Sequence, residues 1–277
     1  MRTIAFVTQK GGTGKSTLAS SVAVSARLAG EKVFVIDLDP LQSLVKWSKT
    51  RGKTDIAVEH VAPAKLAKVM SALEKKGITL VVLDAPGHDS EYLAAAVRAA
   101  DLCIIPARPN VFDLWASEVT RAQVKDKGKD HVFLLNQCPP AQQNARVELG
   151  AKALQAMGGL LSPMLSSRVD YQEAARLGLG VAEYNPHGAA AEEIHELWNS
   201  IKRRLKKGAP AAKPAKVEVK AETKAAPKAE DKQPAAKIEA KTAAKVQTAA
   251  EDKADNKTAP AAKAEPKPAA KIVKKAA

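Results

Sequence analysis

The chain has 277 residues, 45% of them apolar and 27% charged, with a formal net charge of +14. The apolar content is enough for a globular core, the charge points to an acidic partner, and no apolar run reaches the roughly 18 residues a membrane span needs. The two cysteines, Cys103 and Cys138, lack Cys-x-x-Cys spacing and a nearby His, which excludes a disulfide framework and a thiolate metal site and leaves two buried thiols.

The first apolar run, 4–7, begins almost at Met1, so neither a signal peptide nor a leading helix-turn-helix is expected. It runs into Lys10-Gly11-Gly12-Thr13-Gly14-Lys15-Ser16-Thr17 and then into a helix-compatible stretch, 18–24. Strand, glycine loop and helix in this order are the context of a nucleoside-triphosphate loop. Glycines let backbone N–H groups close around phosphate oxygens, and the helix aims its positive end at the same anion. Lys15 is expected to neutralise the β- and γ-phosphates, and the Ser16 hydroxyl to ligate Mg²⁺. The loop departs from G-x-x-x-x-G-K-[ST]: Gln9 stands in the first glycine's place, and a second lysine, Lys10, precedes the glycines.

The next run, 33–36, ends in Asp37-Leu38-Asp39-Pro40. Carboxylates at the C-terminal end of a buried strand can hold Mg²⁺ through water, orient an attacking water, or cap the following helix. Leu66, Val69, Met70 and Leu73 have helical spacing. The run 80–83 ends in Asp84, the arrangement that puts a carboxylate near the Mg²⁺ shell, and His88 and Asp89 beyond it read as a solvated loop. After the run 102–105, Pro106 and Pro109 fix a stiff turn before a helix whose start Asp113 caps or charges. The run 132–135 precedes Asn136, whose amide offers a donor and an acceptor suited to an adenine edge or to a turn. A weaker apolar run lies at 160–165, and Ile194, Leu197, Trp198, Ile201 and Leu205 mark a last amphipathic helix.

Alternating strands and helices predict an α/β fold, a three-layer, doubly wound, mostly parallel sheet over 1–207. Composition breaks there. Residues 208–277 contain no aromatic, no Leu and no Arg, and carry 16 Lys against 9 Asp and Glu. Such a segment cannot bury enough apolar surface to offset its ordering entropy, so a disordered Ala/Lys/Pro-rich basic tail is expected. It resembles the tails of linker histones, and is either a weak, salt-sensitive DNA tether or a solubilising spacer.

The doubled lysine of the loop, the Asp37–Asp39 element with Ser43 and Trp47, the Asp84 strand, the Pro106–Asp113 segment, Asn136, and the late stretch from Arg168 to Glu183 together resemble the ParA/MinD group of deviant-loop ATPases. The resemblance covers residues 1 to about 205; Leu41 departs from it, standing where the family has Gln, as does Asn110 in place of Ser. It implies ATP and Mg²⁺ as cofactors and an ATP-bound sandwich homodimer in which Lys10 reaches the partner subunit's nucleotide. It also implies Lys15 and Asp39 as hydrolytic residues, Asp37 as a structural or Mg²⁺-shell carboxylate beside Ser16 and Asp84, and Asn136 at the adenine. A short partitioning ATPase of this kind coats DNA non-specifically and is released when a ParB-like or other cargo adaptor stimulates slow hydrolysis. It is expected in the cytoplasm, on the nucleoid. Two alternatives stand beside it: a membrane-surface positioning ATPase of the MinD type, for which the end of the chain offers only Ile272 and Val273 as bulky apolar residues, and a non-catalytic ATP-binding interaction protein.

Overall fold

The structure, a computed structural model, describes residues 1–139 and 145–207. The five clear apolar runs form parallel strands: β1 (Arg2–Phe6), β2 (Val33–Asp37), β4 (Leu80–Asp84), β5 (Leu102–Ala107) and β6 (His131–Leu135). A further strand, β3 (Ala57–His60), pairs with β2 at the sheet edge, and the order is β3-β2-β4-β1-β5-β6. Each central strand is buried on both faces and feeds two cores alternately. Ile4, Phe6, Val35, Val82 and Ile104 face one core; Ala5, Val7, Ile36, Leu83 and Ile105 face the other.

Helices cover both faces. The first core is closed by α1 (Lys15–Leu28), α2 (Ser43–Arg51), α7 (Val169–Arg176), α8 (Val181–Tyr184) and α9 (Ala189–Lys207). The second is closed by α3 (Pro63–Lys75), α4 (Glu91–Ala99), α5 (Val111–Asp126) and α6 (Ala145–Gly158). The apolar stripe expected on the last helix is the buried stripe of α9, from Ile194 to Leu205. No described helix is long and apolar enough to cross a membrane. The expected basic tail, 208–277, lies outside the described residues.

The weak run 160–165 is not a strand. Phe133 and Leu160 form an isolated bridge, and Leu161 and Leu165 donate backbone bonds to Phe133 and Leu135. Between them lies Pro163, which has no N–H to continue a ladder.

β1 and β4 are neighbours, but the chain leaves β1 for α1 on one face and β4 for α4 on the other. Loops that diverge in this way open a crevice at the carboxyl ends of the strands, where open α/β sheets bind ligands. The glycine loop and Asp84 both lie on that rim.

Candidate nucleotide and metal site

The loop after β1 is built to present donors. Gly12 and Gly14 adopt left-handed backbone, at φ 76° and 94°, and Gly14 is the residue from which α1 starts. Leu18 makes the first helical bond, back to Gly14 O at 2.8 Å. The backbone N–H groups from Gly11 to Thr17 have no acceptor among the described residues. A run of free N–H groups at a helix N-terminus is an anion site. A Cβ on Gly14 would lie 2.5 Å from Asn136 Nδ2, so the position excludes any side chain as well as requiring positive φ.

Lys15 is only 8% exposed, and its Nζ donates to Lys10 O at 3.3 Å. Burial lowers its pKa, while Asp84 and Asp39 hold it up. The loop after β4 closes over the same ammonium: a Cβ on Gly87 would stand 3.2 Å from both Lys15 Nζ and Gly11 Cα. A cavity of about 620 Å³ is lined here by Gly11, Gly12, Lys15, Ser16 and Asp39, among others. Lys10 does not line it. Its side chain is half-buried and makes no ion pair among the described residues.

The three aspartates differ in what their oxygens hold. Asp37 caps α2 from the preceding strand: Oδ1 accepts from Asp39 N at 3.0 Å, and Oδ2 from Leu44 N and Val45 N at 2.9 and 3.2 Å. Burial raises its pKa and these three N–H groups pull it back. This set of bonds supports the structural half of the expectation for Asp37 rather than the Mg²⁺ shell. Asp39 uses Oδ1 to accept from Leu41 N at 2.9 Å, which leaves Oδ2 free among the described residues, at the cavity. Asp84 is fully buried, and neither carboxylate oxygen makes a well-formed hydrogen bond among the described residues. Its pKa is pushed up to about 7, first by burial; the nearby Ser16 hydroxyl pulls it back, Asp37 adds to the rise, and Lys15 opposes it.

An unsatisfied buried carboxylate beside a hydroxyl fits Mg²⁺. The donors are all oxygen, and Mg²⁺ takes one or two carboxylates with the substrate phosphates rather than a protein cage. No cluster of three His, Cys, Asp or Glu side chains stands ready for a metal among the described residues. Ser16 and Asp84 are the residues that would hold the ion.

A second cavity, of about 340 Å³, lies across Gly14 and Thr17 from the first. Asn136 lines it, 6% exposed, with Nδ2 donating to Thr13 O at 2.8 Å. The amide nitrogen therefore secures the glycine loop. Arg168, Tyr171 and Gln172 complete the wall, and the buried Tyr171 hydroxyl has no partner among the described residues. Sequence reasoning matched Arg168 and Tyr171 to a family segment without giving them a site. It missed Gln137, whose Nε2 donates to Gly12 O at 3.0 Å. An amide directly after Asn136 was the available signal.

Of the two roles expected for Asp113, it charges the first turn of α5 and pairs with Arg108 at 2.8 Å, while Asn110 is the cap, accepting from Asp113 N at 3.0 Å. Glu183 belongs to a buried cluster in which Arg51 also holds Asp55 and the carbonyl of Gly178. His88 and Asp89 are exposed, as a solvated loop requires.

A family model described as the CobQ/CobB/MinD/ParA nucleotide binding domain matches residues 4–245. The chain is 30% identical over 209 residues to the maintenance of carboxysome distribution protein A of Gloeobacter kilaueensis, across 74% of this chain and 94% of that protein. It is 25% identical over 254 residues to the chromosome-partitioning ATPase Soj of Treponema pallidum, across 73% and 98%. The septum site-determining protein MinD of Pyrococcus horikoshii, solved with Mg-ADP, shares the fold at a TM-score of 0.59 and 18% identity, over 76% of this chain and 99% of that one. Loop, rim carboxylates, strand order and family match agree, and the chain belongs to the CobQ/CobB/MinD/ParA nucleotide-binding family.

Proposed function

We propose that this protein is a positioning ATPase that dimerises on ATP, binds DNA non-specifically in that form, and is released when an adaptor protein stimulates hydrolysis. The observation that carries the reading is the contrast between the two loop lysines. Lys15 is buried in the phosphate cavity, whereas Lys10 lies outside its lining and carries a charge unpaired among the described residues. A lysine so placed suits a nucleotide held by a second subunit. Leu41, 71% exposed at the cavity, suits burial against that subunit.

Lys15 and the loop N–H groups hold the phosphates, and Asp39, with one free oxygen, orients the attacking water. Mg²⁺, held by Ser16 and Asp84, would supply further neutralisation of the phosphates. Phosphoryl transfer asks mainly for positioning and charge neutralisation, so this set is sufficient in kind. The named relatives act on carboxysomes and chromosomes, which supports a large assembly, DNA or otherwise, as the cargo. The proposed location is the cytoplasm, on the nucleoid.

ATP turnover by wild type and Asp39→Ala, with and without DNA, tests the reading. Slow wild-type hydrolysis, and an Asp39→Ala variant that binds ATP and DNA but turns over at least about tenfold more slowly, are expected. Unchanged turnover in the variant would move the role to another carboxylate, and no turnover in wild type would leave a non-catalytic ATP-binding protein.

A further inference from the structure

The edge of the sheet where the strands begin lies opposite the nucleotide rim, and α9 ends there. Arg2, at the start of β1, and Leu80, at the start of β4, line a cavity of about 230 Å³ together with Trp198, Lys202 and Lys206 of α9. On another side of the same helix, Arg203, Arg204 and Lys207 line a cavity of about 290 Å³.

Charge at this edge is lopsided in use as well as in number. The carboxylates are engaged: Glu31 accepts from Thr79 Oγ1 at 2.6 Å, Asp101 accepts from Thr3 N at 2.8 Å, and Asp130 holds Arg204 at 2.7 Å. Arg2, Lys32, Lys202, Arg203, Lys206 and Lys207 have no carboxylate within 4.0 Å among the described residues. Cations in a last helical turn complement the helix dipole. That accounts for one or two of them, and not for Arg2 and Lys32, which lie on β1 and before β2. Trp198 lies beneath these cations. It is 3% exposed, and its indole N–H has no acceptor among the described residues, while Lys202 Nζ sits 5.7 Å from the ring centroid. The indole N–H is itself buried, so the charge left for a ligand at this edge is that of the unpaired Lys and Arg side chains.

We infer that this edge, formed by Arg2, Lys32 and the last two turns of α9, contacts the phosphate backbone of double-stranded nucleic acid. The inference rests on the DNA reading above and gives it a surface. A lipid surface fits poorly, because the apolar stripe of α9 is buried against the sheet and not free to enter a membrane. Single strands fit poorly, because Trp198, the aromatic at this edge, is buried and cannot stack on a base. The sequence beyond Lys207 continues the same charge, with 16 Lys against 9 Asp and Glu.

The test compares two triple variants of the full chain that each remove three positive charges: Arg203→Ala/Lys206→Ala/Lys207→Ala at this edge, and Lys65→Ala/Lys68→Ala/Lys152→Ala on α3 and α6. Binding of a short labelled DNA duplex is followed by anisotropy across a salt series, with Mg²⁺ and a non-hydrolysable ATP analogue. The edge variant is expected to bind about tenfold more weakly, with a log–log salt slope reduced by about two to three, and the α3/α6 variant to lose less than about one in slope. ATP affinity and ATP-dependent dimerisation stay at wild-type levels in both. If wild type binds DNA and the two variants match, the contact lies elsewhere and the DNA reading stands without this surface. If wild type fails to bind the duplex, both fall. If the edge variant loses binding to anionic phospholipid vesicles and keeps its DNA binding, the surface is a lipid-headgroup face and the inference is overturned.

Discussion

Asp37 and Asp84 are register partners on the parallel strands β2 and β4, and their carboxylates are used in opposite ways. Asp37 takes three backbone N–H groups and fixes the start of α2, whereas Asp84 is buried without a hydrogen bond among the described residues. The first is complete within the fold. The second, although Lys15 is near, still needs a proton or a bound cation on its oxygens.

The proton gives a pH signature. Burial pushes Asp84 up to about 7, against an ordinary 3.8. The folded state then binds this proton more tightly than the unfolded chain. Its contribution to stability is therefore lost as pH rises between these two values, and levels off above the higher one. Asp84→Asn should raise the metal-free Tm at pH 8 by roughly 3–8 °C and flatten this pH dependence. It should also weaken Mg²⁺·ATP binding by at least about tenfold. Thermal unfolding across pH, with and without Mg²⁺ and ATP, checks both. A wild-type pH profile unchanged by the substitution would show that Asp84 is ionised and compensated in the metal-free fold.

Asn136 ties the second cavity to the glycine loop through its 2.8 Å bond to Thr13 O. Asn136→Ala should cost about 1–2 kcal/mol of stability from the lost buried hydrogen bond. It should also weaken discrimination of ATP from GTP more than it weakens phosphate binding. Nucleotide competition, measured beside denaturant unfolding, separates the two effects. A loss of stability with unchanged nucleotide preference would leave Asn136 as a loop anchor alone.

Arg51 is a stability prediction away from the nucleotide. Its side chain is fully buried against Asp55 and Glu183, at 2.8 and 2.6 Å. Arg51→Met removes the buried cation of the cluster but leaves Arg27 on Asp55 at 2.7 Å and Lys53 on Glu183 at 3.3 Å, and should cost about 1–3 kcal/mol, part of which Glu183→Gln should recover. Tm values of the single and double variants decide this. A single variant as stable as wild type would mean the cluster is satisfied without the guanidinium.

Much of this was legible because the chemistry is local. The loop, Asp37, Asp39, Asp84 and Asn136 each sit at the end of an apolar run, and a buried parallel strand has no polar alternation to confuse its reading. β3 was missed for the converse reason: Ala57-Val58-Glu59-His60 is an edge strand with one solvated side and no apolar run. The run 160–165 misled because apolar composition does not reveal that Pro163 interrupts pairing. The division of labour among the aspartates was beyond sequence reading, since it depends on where the N–H groups of Asp39, Leu44 and Val45 lie once α2 has turned back over β2.

The proposed function requires a monomer–dimer switch set by ATP, in which Lys15 would bind nucleotide within a subunit and Lys10 would serve the neighbouring one. Sedimentation of wild type, Lys10→Ala and Lys15→Ala, each with ADP or with a non-hydrolysable ATP analogue, alongside nucleotide affinity, tests it most directly. Wild type should be monomeric with ADP and dimeric with the analogue. Lys15→Ala should lose nucleotide affinity by about 10–100-fold through its missing charge-assisted bonds. Lys10→Ala should bind nucleotide as wild type does, yet stay monomeric with the analogue. A Lys10→Ala protein that dimerises on the analogue as wild type does, or a wild type that is equally dimeric with ADP, would contradict the account.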